Sequence, residues 1–188
     1  QQLPKDLTTK MALFNSKDVY RFQSITSTNQ FFAEPSSGAD PPYGSPISYW
    51  AASKMDSVKI YITNASGDTV RTLNHKAKPG INRIWWDLKS DPMKEIVMHT
   101  PPEGADWYPM DKNGTRKIPS ISPNSYLVPP GTYTINLTAD GQNQKVQLNV
   151  IKDPHSLGTM DDIKAQTDLI LKMRTDLNKL AEMVNAIE

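Results

Sequence analysis

The chain has 188 residues, enough for one well-packed domain with appendages or for two small domains. Its 21 basic and 20 acidic residues leave a formal charge of +1, so the composition offers no basic stripe for nucleic acid or for an anionic lipid surface. The absence of cysteine excludes disulfides, thiolate metal sites and cysteine nucleophiles together, and no apolar run reaches the roughly 18 residues of a membrane span.

Residues 1 to about 36 are polar apart from an apolar knot at Met11, Leu13, Phe14, Val19, Tyr20 and Phe22. The stretch reads as an arm that docks rather than as a domain. The chain opens on Gln1 instead of Met, as expected of a processed protein or of a piece of a longer one. Next comes "DPPYGSPISYW", residues 40 to 50. Each proline removes a backbone donor and holds its predecessor extended, so the segment reads as a stiff lead into a strand at Ile47. Tyr49 and Trp50 then straddle the pleat, one ring for the core and one facing out. A platform of stacked rings for sugars is the competing reading.

From about 45 to 151 the period is two. Val58, Ile60 and Ile62 alternate with Lys59, Tyr61 and Thr63; Tyr133, Ile135 and Leu137 alternate with Thr134, Asn136 and Thr138; Val146, Leu148 and Val150 repeat the pattern. Turn signals at Asn64 to Asp68, at Pro130-Gly131 and at Asp140-Gly141 separate the runs. Short half-buried strands so punctuated predict a β-sandwich. In "INRIWWDL" the alternation places Ile84, Trp86 and Leu88 on the core side and Arg83, Trp85 and Asp87 on the other. Between 89 and 129 the pattern lapses into a proline-rich excursion holding Trp107 and Tyr108, long enough to suggest a functional or surface-wrapping loop.

After Asp153-Pro154 the rules change. Thr159 and Asp162 have the spacing of a capping box, and no proline or glycine follows Gly158. Ile163, Ile170, Leu177 and Val184 recur every seven residues, with Gln166, Met173, Leu180 and Ile187 three further on. This predicts one helix with an apolar seam. The seam suits a coiled-coil partner or a groove within the chain, and the added Leu169, Leu171 and Met183 favour packing within the chain.

Chemistry-bearing patterns are sparse. His75, His99 and His155 fit no metal-ligand spacing, and no nucleophile elbow, phosphate-cradling loop or dinucleotide fingerprint occurs, so neither catalytic residues nor a cofactor is expected. Asp87, Asp91, Glu95, Glu103, Asp106 and Asp111 could supply a carboxylate pair for glycoside hydrolysis, but nothing in the spacing makes any two converge. Asn64, Asn113 and Asn136 begin sequons, short enough to arise by chance.

Several stretches, taken together, resemble a known family. "SGDTVRTL" (66 to 73), "PGINRIWWDL" (79 to 88) and "VPPGTYTINLTADGQ" (128 to 142) are similar, in that order, to the hairpin, strand end and strand start of the FlgD-type immunoglobulin-like module. The likeness is closer to the modules that follow sortilin-like or BNR-repeat β-propellers in bacterial proteins often labelled glycosyl hydrolases. Those carry stretches resembling Leu13 to Phe22, Pro41 to Trp50 and Tyr108 to Gly114, and a closing Asp-Pro before a long helix. The resemblance covers about residues 11 to 188, and the propeller, where any parent activity would reside, lies outside it.

The expected fold is therefore mainly β: an immunoglobulin-like sandwich at 37–153, preceded by an arm at 1–36 and followed by a helix at 154–188. The expected role is that of a non-catalytic accessory module that packs against and orients a β-propeller of the same exported, periplasmic or secreted bacterial protein. Candidate ligand or partner contacts are Tyr49, Trp50, Trp85, Trp107 and Tyr108. The rivals are a carbohydrate-binding module using Trp107, Tyr108 and Trp85 on a polysaccharide, and a fragment of a glycoside hydrolase.

Overall fold

The computed structural model describes residues 9–22, 41–117 and 124–188. The boundary expected near residue 37 lies outside them. The chain divides into two compact units, residues 1–90 with 127–158 and residues 91–126 with 159–188.

The first unit is built of strands. The arm supplies β1 (Met11–Leu13) and β2 (Val19–Arg21), followed by β3 (Ser45–Ala51), β4 (Met55–Thr63), β5 (Thr69–Ala77) and β6 (Gly80–Trp86). Of the remaining strands, β7 (Val97–Met98) and β8 (Arg116–Lys117) belong to the second unit, and β9 (Gly131–Ala139) and β10 (Gln142–Lys152) return to the first. One sheet has the order β1-β3-β6 and the other β2-β10-β9-β4-β5.

The period-two runs set the registers, because a one-residue slip would turn each apolar set to the solvent side. Ile60 pairs with Leu137 and Ile62 with Ile135 across β4 and β9, while Tyr133 pairs with Leu148 across β9 and β10, and all of these side chains are buried. From the opposite sheet Ile47, Tyr49 and Trp86 complete the core. The rings of Trp86 and Tyr133 meet edge to face at 5.4 Å between the two layers, an arrangement consistent with the expected sandwich. The Tyr133 hydroxyl donates to the carbonyl of Pro129 at 2.7 Å, fixing the corner through which the chain enters β9.

The turns carry their own chemistry. Asp140 and Gly141 both have positive φ (47° and 75°), which matches the twist of a two-residue hairpin between β9 and β10. Gly131 does not sit in the turn signalled at Pro130-Gly131. Its φ of 159° is extended backbone, and the residue already pairs with Val150 as the first of β9.

The second unit contains helix α1 (Met160–Ile187) and the β7–β8 pair. Thr159 caps the helix as its spacing predicts: its hydroxyl oxygen accepts from the Asp162 N–H, and the Asp162 carboxylate accepts from the Thr159 N–H. The Thr159 N–H foremost, and then the Thr159 hydroxyl, which also donates to this carboxylate, hold the Asp162 carboxyl below its usual range.

A stretch of the excursion, residues 91 to 100, runs beside α1 in the same direction as the helix. Arg174 donates to the carbonyl of Asp91, Asn178 accepts from the Lys94 N–H, and Glu182 pairs with the Lys94 ammonium. One turn on, Asn185 accepts from the Val97 N–H at 2.8 Å and donates to the carbonyl of Glu95 at 2.9 Å. Glu188 accepts from the N–H groups of His99 and Thr100, and the first of these contacts contributes most to holding its carboxyl below the usual range. Arg174, Asn178, Glu182, Asn185 and Glu188 recur at helical spacing on one face. Their side chains give an extended segment the partners a neighbouring strand would otherwise supply.

The seam is not packed as expected. Of its first row Ile163 is buried, Ile170 and Val184 are half-buried and Leu177 is exposed, while Met173, Leu180 and Ile187 of the second row, with Leu169 and Met183, are between 49% and 85% exposed. The covered side of the helix carries Ile163, Ile170, Ala181 and Val184 together with the polar side chains that serve residues 91 to 100.

Candidate functional site

The arm enters the fold as strands of both sheets. β1 lies antiparallel to β3, with Met11 opposite Ala51 and Leu13 opposite Tyr49; β2 lies parallel to β10, with Val19 opposite Val150 and Arg21 opposite Lys152. Met11 is fully buried. Gln144 of β10 reaches across to β1, its amide accepting from the Leu13 N–H and donating to the carbonyl of Met11, so one side chain ties the arm to the opposite sheet.

Further on, Asp18 accepts from Asn149, Arg21 donates to the carbonyl of Val128, and the Phe22 N–H donates to the Tyr43 hydroxyl. The rings of Phe22 and Tyr43 also meet edge to face at 4.6 Å. Burial, partly offset by the Phe22 N–H, raises the Tyr43 phenol above its usual range. Beyond these contacts the arm keeps Tyr20 and Phe22 exposed, beside the exposed Ile151 of β10 that pairs with Tyr20.

The five candidate aromatic residues separate into three settings. Tyr49 is in the core and reaches no surface; its hydroxyl lies 2.6 Å from Nδ1 of His75 on the opposite sheet, and burial pushes the phenol up to about 12. It links the two layers. Trp50 and Trp85 are half-buried and share the other face of the β1-β3-β6 sheet. There Trp50 pairs with Ile81 and Trp85 with Pro46, and between them Arg83 donates to the Ser48 hydroxyl. Ile81 is 60% exposed, so this face combines two indoles, an isoleucine and a guanidinium. Trp107 and Tyr108 belong to the second unit; Trp107 is 81% exposed, whereas Tyr108 is half-buried with the Arg116 guanidinium 5.9 Å from its ring centre.

Two of the acidic candidates, Asp111 and Asp87, are occupied with local structure. Asp111 accepts from the N–H groups of Asn113 and Thr115 and from the Thr115 hydroxyl, the last contact leading the others in holding its carboxyl below the usual range. Asp87 accepts from the Lys89 N–H in the first unit. Among the described residues no three His, Asp or Glu side chains gather as a metal site would need, and no helix is long and apolar enough to cross a membrane.

A pocket of about 300 Å³ lies where the arm passes β3, lined by Asn15 to Val19, Gly44, Ser45, Pro46 and Ser48. The buried hydroxyls of Ser16 and Ser45 find no hydrogen-bond partner among the described residues.

Sequence reasoning did not reach Gln144, Asn185 or Glu188, whose roles depend on what lies opposite them. The two asparagines seven residues apart on one helix, Asn178 and Asn185, were the available signal. Comparison of the chain with protein-family models, with curated proteins and with solved structures found no match.

Proposed function

We propose that the chain is a non-catalytic interaction module, an immunoglobulin-like sandwich of the FlgD type, which packs against and orients a β-propeller in an exported bacterial protein. The observation that carries this reading is the arm's membership of both sheets. A chain entering through two ladders and the Gln144 bridge cannot swing as a free linker does, so the module acts as a brace for whatever precedes it. The hydroxyl of Tyr133 returning to the carbonyl of Pro129 resembles the tyrosine corner of immunoglobulin-like sandwiches and supports the finer fold assignment. The face bearing Trp50, Ile81 and Trp85, and the edge bearing Tyr20 and Phe22, are the surfaces suited to a neighbouring domain.

A second reading, attachment to polysaccharide, is favoured by the exposure of Trp107, since a bare indole can stack on a sugar ring. The four tryptophans allow one experiment to separate the two. A β-propeller from the same parent protein, added in trans to isotopically labelled chain, should shift the indole N–H signals of Trp50 and Trp85 and leave the core Trp86 unmoved. A shift confined to Trp107 on adding soluble polysaccharides would favour the sugar reading. Indoles that ignore the propeller would defeat the brace.

A further inference from the structure

We infer that the exposed seam of α1 is the docking surface for a second copy of this chain, the two helices pairing antiparallel. Leu169, Met173, Leu177, Leu180, Met183 and Ile187 run along one side of the helix at spacings of three and four residues, the repeat with which two helices interlock. The side about a third of a turn round is taken up by Arg174, Asn178, Asn185 and Glu188 and their contacts with residues 91 to 100. Among the described residues the seam stays largely exposed.

Its size argues for a stable pair. Six large apolar side chains, each at least 43% exposed, form one continuous stripe of the kind that marks an interaction surface, and two such stripes can cover each other. A twofold axis across the helix lets the same stripe cover itself.

Charge fixes the direction. Asp176 sits midway along the stripe, and Lys172 and Lys179 border it. Parallel, in-register helices would set Asp176 against Asp176 in an apolar seam, a costly placement of like charges. Antiparallel helices crossing near Leu177 instead bring each Asp176 beside Lys179 of the other copy, and oppose the two helix dipoles favourably.

The test uses the 188-residue chain, whose lack of cysteine allows a single nitroxide label at Ala186→Cys, an exposed position outside the seam. Sedimentation should find a concentration-dependent dimer. Leu180→Asp should weaken association at least ~30-fold, as loss of a central apolar anchor does, while leaving the near-ultraviolet circular dichroism of the sandwich intact. In the dimer the labels at 186 should lie at least roughly 25 Å apart, since they sit well to either side of the crossing point.

A monomer at all concentrations, or a dimer indifferent to Leu180→Asp, overturns the inference. So does a label separation below about 20 Å, which marks helices side by side in parallel. Should Leu180→Asp fail to fold, Met173→Glu replaces it, and the label distance needs no seam variant at all.

Discussion

Replacing Trp86 with alanine should lower the stability of the chain by about 3 to 5 kcal/mol, near the upper end of what a single truncation does. The indole is fully buried at the end of β6, meets Tyr133 of the opposite sheet edge to face, and donates its N–H to the carbonyl of Lys89 at 2.8 Å. Truncation opens a cavity between the layers, removes the ring contact and strips the Lys89 carbonyl of a donor. No small rearrangement repairs all three, because β6 is pinned residue by residue to β3 from Gly80 to Trp86. An unchanged urea midpoint would mean that the two sheets do not depend on this ring. Trp85→Ala is the control: its side chain lies on the other face and is half-buried, so a clearly smaller loss is expected.

The second large effect is expected at Gly44, the glycine of "PPYG". Its φ is 116°, and a Cβ built there would fall 2.0 Å from the carbonyl oxygen of Trp86 and 2.9 Å from the Cα of Asp87. Both neighbours are backbone, so neither can rotate away. Gly44→Ala must push the start of β3 off the end of β6, where Ser45 pairs with Trp86. The loss should exceed ~3 kcal/mol, combining an unfavourable φ with a main-chain clash.

Gly67 separates the two causes. Its φ is also positive, at 90°, but nothing lies within 4 Å of its would-be Cβ, so Gly67→Ala should cost about 1 to 2 kcal/mol from backbone strain alone. Equal losses at the two glycines, measured by urea unfolding, would show that the close approach at Gly44 is relieved without cost.

These two positions also mark where the sequence was readable. Trp86 could be placed because period-two alternation assigns a face whatever the sheet order, and the same rule placed Ile60, Ile62, Ile135 and Leu137 in the core. Gly44 was readable only as part of a stiff lead-in; that its backbone would touch Trp86, some forty residues away, is a tertiary fact. The prolines before it shape the approach, and the glycine makes the contact possible.

The second unit was harder to read for a related reason. The capping box and the extent of α1 follow from local spacing, and both were legible. Which side of the helix faces its neighbour was not, since apolar residues lie on two sides of it and the covered side mixes Ile163, Ile170, Ala181 and Val184 with polar residues. Asn185 resolves it by bonding both Val97 and Glu95, a pairing visible only once the excursion is laid beside the helix.

The candidate contacts show the same limit. Alternation put Tyr49 and Trp50 on opposite sides of the pleat, but it could not tell that Tyr49 would join His75 in the interior while Trp50 and Trp85 shared one outer face. Nor could composition distinguish an arm lying on the surface from one woven into both sheets. That distinction decides between a tether and a brace.

Amide hydrogen exchange tests the brace most directly. The edge strands β1 and β2 are held in ladders with β3 and β10, and the Leu13 N–H donates to Gln144, so the amides of residues 11 to 13 and 19 to 21 that donate into these bonds should be slowed to the level of β4 and β9 and released only with global unfolding. Exchange of those amides as fast as at exposed loop positions such as Ser66 and Lys112, with β4 and β9 still protected, would contradict the account: the arm would then be a tether, and the module could not orient a neighbouring domain.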